Sequence, residues 1–183
     1  MPKKKINDPE MEPFTIDNIV YIPLNGRGKL EGAFAMISKD KYHIVTKHKW
    51  YLGKSGYPVC YELGKMQLHR FIYTIIIGGQ LPSNLYVDHI DRNKLNNVDN
   101  NLRLATPQEN SFNKSTDSNK KGVRKISENN YTACAVKNGI RHEIKNIPTQ
   151  QQAAEIYNLM AEELYGHFAS LNNINNIDNV NNF

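Results

Sequence analysis

Apolar and polar residues alternate through 18–24 (NIVYIPL), and a second apolar run, GAFAMI at 32–37, follows the turn-forming segment Asn25-Gly26-Arg27-Gly28. That two-residue period around an Asn-Gly pair predicts a β-hairpin. A short helix is expected within 39–48. The stretch KWYLGKSGYPVCYEL at 49–63 then reads as a second hairpin, with Trp50, Tyr57, Val59 and Tyr61 available for packing. At Leu68 the period lengthens. Leu68, Phe71, Ile72, Ile75 and Ile76 share one helical face, and Gly78-Gly79 supplies the left-handed stop.

A short strand through Leu85, Tyr86 and Val87 runs into Asp88-His89, a polar loop follows, and a second strand at 101–104 returns. The next helix start is specified by three residues: Thr106 as N-cap, Pro107 as first helical residue and Glu109 closing a capping box. Downstream, GVRKI (122–126), YTACAV (131–136) and IRHEIKNI (140–147) read as three antiparallel strands joined at Asn129-Asn130 and Asn138-Gly139. Thr149 and Gln152 have capping-box spacing. Ala153, Ala154, Tyr157, Met160, Ala161, Leu164 and Tyr165 then give a helix over 150–165 its apolar face. The expected fold class is α+β: a strand-rich N-terminal region, a central strand–loop–strand–helix core, and a three-stranded sheet packed on one helix.

Composition narrows the picture. The 183 residues carry 23 Lys plus Arg against 18 Asp plus Glu, a net charge of +5. The charge is unevenly placed. Segment 14–66 has eight basic and four acidic residues, 118–147 has seven and two, and the intervening 67–117 has five of each. Two basic blocks flank a neutral middle, as binding surfaces around a chemical centre would. No apolar run approaches the roughly 18 residues a membrane-spanning helix needs, so no membrane association is expected. Cys60 and Cys134 are far apart and lack zinc-finger spacing, which points to an intracellular, reduced protein in which both fill apolar positions. Nuclear and cytoplasmic compartments are not separated by this reasoning.

The expected organisation is a flexible arm at 1–13, a strand-rich region at 14–66, a central segment at 67–117, a three-stranded sheet with one helix at 118–172 and a disordered tail at 173–183, the Asn-rich composition from 172 onward supporting no apolar face.

The middle segment holds the candidate chemistry. Asp88 and Asn110 offer hard oxygen ligands suited to Mg²⁺ or Mn²⁺, and His89 is an imidazole that titrates near neutral pH. Together they supply a metal clamp and a general base for phosphodiester hydrolysis. Neighbours on a regular strand face opposite ways, so Asp88 and His89 serve one site only where the strand bulges or ends. Asn110 is preferred to Asn113 as the helical ligand. His69 beside its apolar stripe is expected to support the centre rather than react, and His43, His48, His142 and His167 are given no role.

Leu68-His69-Arg70, Val87-Asp88-His89-Ile90-Asp91, the loop Asn93-Lys94-Leu95-Asn96-Asn97, Asn101-Leu102-Arg103 and Glu109-Asn110-Ser111 with Asn113 occur in this order. In this the segment resembles the HNH endonucleases, particularly the homing endonucleases of phage introns. The resemblance implies a ββα-metal core in its HNN variant, with His89 as general base, Asn101 holding the loop, and Asp88 and Asn110 binding one divalent metal ion, Mg²⁺ or Mn²⁺. Arg92 stands where many relatives have Gly, so Asn93 is expected to take the left-handed conformation. Segment 121–172 resembles the APETALA/ethylene-response type of DNA-binding domain, which implies double-stranded DNA contacts from Arg124, Lys125, Lys137, Arg141 and Lys145; Lys94 is a further phosphate contact. The expected activity is hydrolysis of DNA, nicking one strand as a monomer, with no obligate protein partner. The alternative is a sequence-specific DNA-binding regulator whose core is inactive.

Overall fold

The computed structural model describes residues 11–25, 32–114 and 120–176. It has the expected α+β composition, in two compact units that divide between Leu104 and Ala105.

In the first unit, β1 (Phe14–Ile16), β2 (Ile19–Pro23) and β3 (Phe34–Ser38) form an antiparallel meander. Strands β2 and β3 bury every second residue, so Val20, Ile22, Ala35 and Ile37 face the core. The pairing matches the expected hairpin, while the Gly26-Arg27-Gly28 part of its turn lies outside the described residues, as do residues 1–10 of the expected arm. The short helix within 39–48 is a 3₁₀ turn, Lys39–Lys41, continuing into α1 (Tyr42–Val45). Trp50 closes this corner by donating its indole N–H to the Val45 carbonyl at 2.9 Å.

The second hairpin, β4 (Tyr51–Leu52) and β5 (Pro58–Cys60), gains a third strand, β6 (Met66–Gln67), that its two residues are too few to announce. Strand β6 feeds directly into α2 (Leu68–Ile77), which ends as expected at Gly78 with φ 61°. Strand β7 (Tyr86–His89) forms a two-stranded sheet with β9 (Leu102–Ala105). Between them β8 (Asn96–Asn97) adds to the first sheet in parallel, Met36 opposite Asn96 and Ile37 opposite Asn97. One core therefore collects Val20, Ile37, Trp50, Leu68, Ile72, Val87 and Leu102, drawing on both the strand-rich region and the segment that follows it.

The second unit begins with α3 (Pro107–Phe112), whose Thr106–Glu109 capping box is fully formed. Phe112 stacks on Tyr165, and Lys121 donates to the carbonyls of Phe112 and Lys114, tying this helix to the C-terminal elements. Strands β10 (Val123–Ser127), β11 (Asn130–Lys137) and β12 (Ile140–Ile147) are antiparallel, with Asn129 and Asn138 both at φ 53° in the turns. Helix α4 (Gln150–Tyr165) buries Ala153, Tyr157 and Ala161 against Ala133, Ala135 and Ile147. At its N-cap Thr149 accepts from the Gln152 N–H, and the Gln152 side-chain oxygen Oε1 accepts from the Thr149 hydroxyl. Gly122, at φ 68°, admits the Tyr157 ring: a Cβ there would lie 1.9 Å from it.

The Asn-rich end is not uniformly without structure. The buried Asn172 side chain accepts from the Lys121 N–H at 2.7 Å and donates to the Lys121 carbonyl at 2.9 Å, and 174–176 form a 3₁₀ turn. An amide side chain reproduces both halves of a backbone pairing, which composition does not reveal. Residues 177–183 lie outside the described set.

Candidate functional site

His89 is the last residue of β7, and its side chain is buried. Its Nε2 lies 3.3 Å from Oδ1 of Asn97, which is itself wholly enclosed. The orientation of that amide is set from behind: Asn97 Nδ2 donates to the carbonyls of Leu95, at 3.0 Å, and Lys94, at 3.4 Å. The oxygen therefore faces the imidazole, an arrangement that favours the neutral tautomer with its proton on Nε2.

Two more rings complete the neighbourhood. His69 on α2 lies 4.9 Å from His89, centroid to centroid, and 4.9 Å from Tyr57, whose ring is 5.9 Å from His89. Burial lowers the His89 pKa below the ordinary histidine value, against the opposing influence of the Asn97 hydrogen bond and the Asp91 and Asp88 charges. For His69 burial, reinforced by His89 and Arg70, pushes the pKa down to about 3. Both rings are neutral at neutral pH. Burial likewise raises the Tyr57 hydroxyl, with the Asp88 charge adding to it.

Asp88, adjacent in sequence, engages a different partner. Arg103 on β9 reaches its Oδ2 through Nε at 2.9 Å and Nη2 at 2.8 Å. The guanidinium compensates a carboxylate that is 7 % exposed.

The intervening loop is organised by amides around Asp91. Asp91 Oδ1 accepts from Asn101 Nδ2 and from the Asn93 N–H, both at 2.8 Å, and Oδ2 accepts from Asn96 Nδ2 at 2.7 Å. Asn101 in turn accepts from the Asp91 N–H at 3.0 Å and donates to the Asn96 carbonyl at 2.7 Å. The left-handed residue is Arg92, at φ 67°, rather than Asn93. The turn closed by the Arg92 N–H on the His89 carbonyl fixes that position, and the Asx turn from Asp91 leaves Asn93 on the ordinary side. Lys94 folds back over the β4–β5 turn, donating to the Ser55 carbonyl at 2.9 Å with its ammonium 4.7 Å from the Tyr57 ring centre.

In the second unit, Asn110 lies half-buried in α3, its backbone N–H bonded to Thr106, and Asn113 is the buried C-cap. On the sheet, Arg141 and Lys145 flank Glu143 at 3.5 and 2.8 Å, and hydrogen bonding to Lys145, with Arg141 and Arg124 nearby, lowers the Glu143 pKa. Lys125 lies 6.0 Å from the Tyr131 ring centre. Lys137 turns to the helix side and donates to the Leu164 carbonyl.

Sequence reasoning missed Asn97, Arg103 and Tyr57 as neighbours of this centre. Asn97 was hidden among loop amides that all look like turn formers, whereas Arg103, at a polar position of β9 opposite the Asp88 strand, carried a usable signal.

A sequence model of the HNH endonuclease family matches residues 66–112, which hold α2, β7, the loop, β9 and α3. The protein named uncharacterized HNH endonuclease L560, of Acanthamoeba polyphaga mimivirus, is 74% identical over 161 residues, covering 88% of this chain and 85% of that protein. Protein 3.8 of Escherichia phage T7 is 36% identical over 96 residues, 50% of this chain and 78% of its own length. No solved structure matches the chain. Among the described residues no helix is long and apolar enough to cross a membrane. The extent of the match to the mimivirus protein, together with the family match over the strand–loop–strand–helix segment, places the chain in the HNH endonuclease family.

Proposed function

We propose that the chain is a divalent-metal-dependent DNA endonuclease in which His89 is the general base, and the observation that carries this is the Asn97–His89 relationship. A buried, neutral imidazole with its proton fixed on Nε2 presents Nδ1 as the proton acceptor. In the reaction, water oxygen bonds to phosphorus, Nδ1 takes the water's proton, and the bond to the 3′ oxygen breaks. The products are a 5′-phosphate and a 3′-hydroxyl, the leaving oxygen taking its proton from solvent. Asn101 holds the loop through Asp91 and Asn96.

The donor set suits a hard cation: a carboxylate, Asp88, whose buried charge Arg103 compensates, and an amide oxygen, Asn110. On the family pattern Asp88 and Asn110 are the ligand positions for Mg²⁺ or Mn²⁺, which when bound supplies positive charge to the phosphoryl and leaving oxygens. The C-terminal sheet is the proposed APETALA-type duplex-binding surface, with Arg124, Lys125, Arg141 and Lys145 as phosphate or base contacts and Lys94 as a further contact. Lys137, engaged at the end of α4, contributes less to it. With one such centre among the described residues, a monomer nicks one strand.

Conversion of supercoiled plasmid to the open circle in Mg²⁺ or Mn²⁺, abolished by His89→Ala with DNA binding retained, is the expected result. Tight duplex binding without relaxation, by wild-type protein in either metal, would instead assign the chain to the DNA-binding regulators.

A further inference from the structure

Outside the proposed nuclease centre, one thiol, one imidazole and one carboxylate converge. His48, Cys60 and Glu62 each present a ligand atom, and these atoms all lie within 4.8 Å of one another. They come from two places in the first unit: the turn after α1, and the end of β5 with the connection that follows it. His48 follows α1 in a turn closed by its own N–H on the Val45 carbonyl at 3.2 Å, beside Trp50, whose indole bonds the same carbonyl at 2.9 Å. Cys60 is fixed at the end of β5 opposite Met66 and is a free thiol with no exposure. Glu62 is exposed two residues further, on the connection to β6.

We propose that His48, Cys60 and Glu62 form a second metal site, selective for Zn²⁺ and separate from the Mg²⁺ or Mn²⁺ centre. Zinc bonds of about 2.0–2.3 Å in a tetrahedron place ligand atoms roughly 3.3–3.8 Å apart. The existing separations, all within 4.8 Å, close to that range by small side-chain rotations, for which the exposed Glu62 has the most freedom. Ligand chemistry sets the selectivity. A thiolate with an imidazole suits a borderline-soft ion, whereas Mg²⁺ requires oxygen ligands in octahedral array. Binding releases the Cys60 thiol proton to solvent. Three protein ligands leave the fourth position to water, on the side where Glu62 is exposed.

The site would act as a clip. It joins the turn after α1 to the β5–β6 connection, and β6 leads into α2, which carries His69 against His89. Zinc is thus expected to stabilise the unit rather than to perform the hydrolysis.

The test uses the full chain, stripped with chelator and titrated with Co²⁺. One equivalent producing a near-ultraviolet thiolate-to-cobalt band is expected, displaced by Zn²⁺ and indifferent to excess Mg²⁺. The band is lost in Cys60→Ser and retained in Cys134→Ser and His89→Ala. His48→Gln and Glu62→Gln weaken Zn²⁺ binding by about tenfold or more, and Zn²⁺ raises the melting temperature of the wild type but not of His48→Gln. Absence of a thiolate band in the wild type, or its persistence in Cys60→Ser, overturns the proposal. Should Cys60→Ser fail to fold by circular dichroism, an unchanged Zn²⁺ affinity in His48→Gln overturns it equally. None of these readouts depends on DNA cleavage, so a failure here leaves the nuclease assignment standing.

Discussion

The Asn97 amide oxygen lies 3.3 Å from Nε2 of His89, while the nitrogen of the same amide is spent on the carbonyls of Lys94 and Leu95. One buried amide thereby reads the loop backbone on one side and sets the tautomer of an imidazole on the other. Replacing Asn97 with Leu is expected to lower kcat by about 10- to 100-fold, comparable to impairing a general base, with KM for DNA nearly unchanged. Steady-state nicking kinetics check this; a loss confined to KM would show that Asn97 acts on DNA binding instead.

Stability should depend on pH through His69. Its pKa in the folded protein, about 3, lies below the unfolded value of 6.5, so the unfolded chain binds the extra proton between those limits. Its contribution is complete above about pH 6.5 and declines as the pH falls toward 3, with a slope of up to about 1.4 kcal/mol per unit. His69→Phe, which keeps a ring in the same space without a titrating group, is expected to flatten urea-derived stability across that window. An unchanged slope would locate the acid sensitivity elsewhere.

Arg103 is expected to be costly to remove. Arg103→Met leaves the buried Asp88 carboxylate without its guanidinium and should destabilise the chain by about 3–5 kcal/mol. Adding Asp88→Asn should recover most of that loss, because the uncompensated charge goes with it. Denaturant titration of the two single variants and the double variant measures the coupling; simple additivity would mean the pair does not interact.

Basic residues of the C-terminal sheet divide into two groups by what they already touch. Arg124→Ala is expected to reduce the log–log salt slope of duplex binding by about one. Lys137→Ala should leave the slope unchanged and instead cost about 0.3–1 kcal/mol of stability, since its ammonium serves the carboxyl end of α4. Binding isotherms at several salt concentrations, with melting curves for both variants, separate the two roles.

What was legible in the sequence shares one property: its cause lies within a few residues. The α2 boundaries follow from the apolar stripe beginning at Leu68 and the stop at Gly78. The capping box of α3 is written in Thr106, Pro107 and Glu109, and the hairpin turns in Asn129 and Asn138. The order of short motifs around Asp88, His89, Asn101 and Asn110 is sufficient to indicate the HNH endonuclease family.

Tertiary structure decided what depends on separations of tens of residues. The parallel pairing of β8 with β3, the third strand β6, and the choice of Arg92 over Asn93 for the left-handed position arise from how distant segments meet and how the loop closes. The same holds for the partners of the centre. Asn97, Arg103, Tyr57 and His69 gain their meaning from packing against His89 and Asp88, and His48 meets Cys60 and Glu62 only because the turn after α1 folds onto the end of β5. Local pattern encodes dihedral preference and amphipathic period, whereas burial, the energy of a hydrogen bond and the protonation of a histidine are properties of an environment that exists only once the chain has folded.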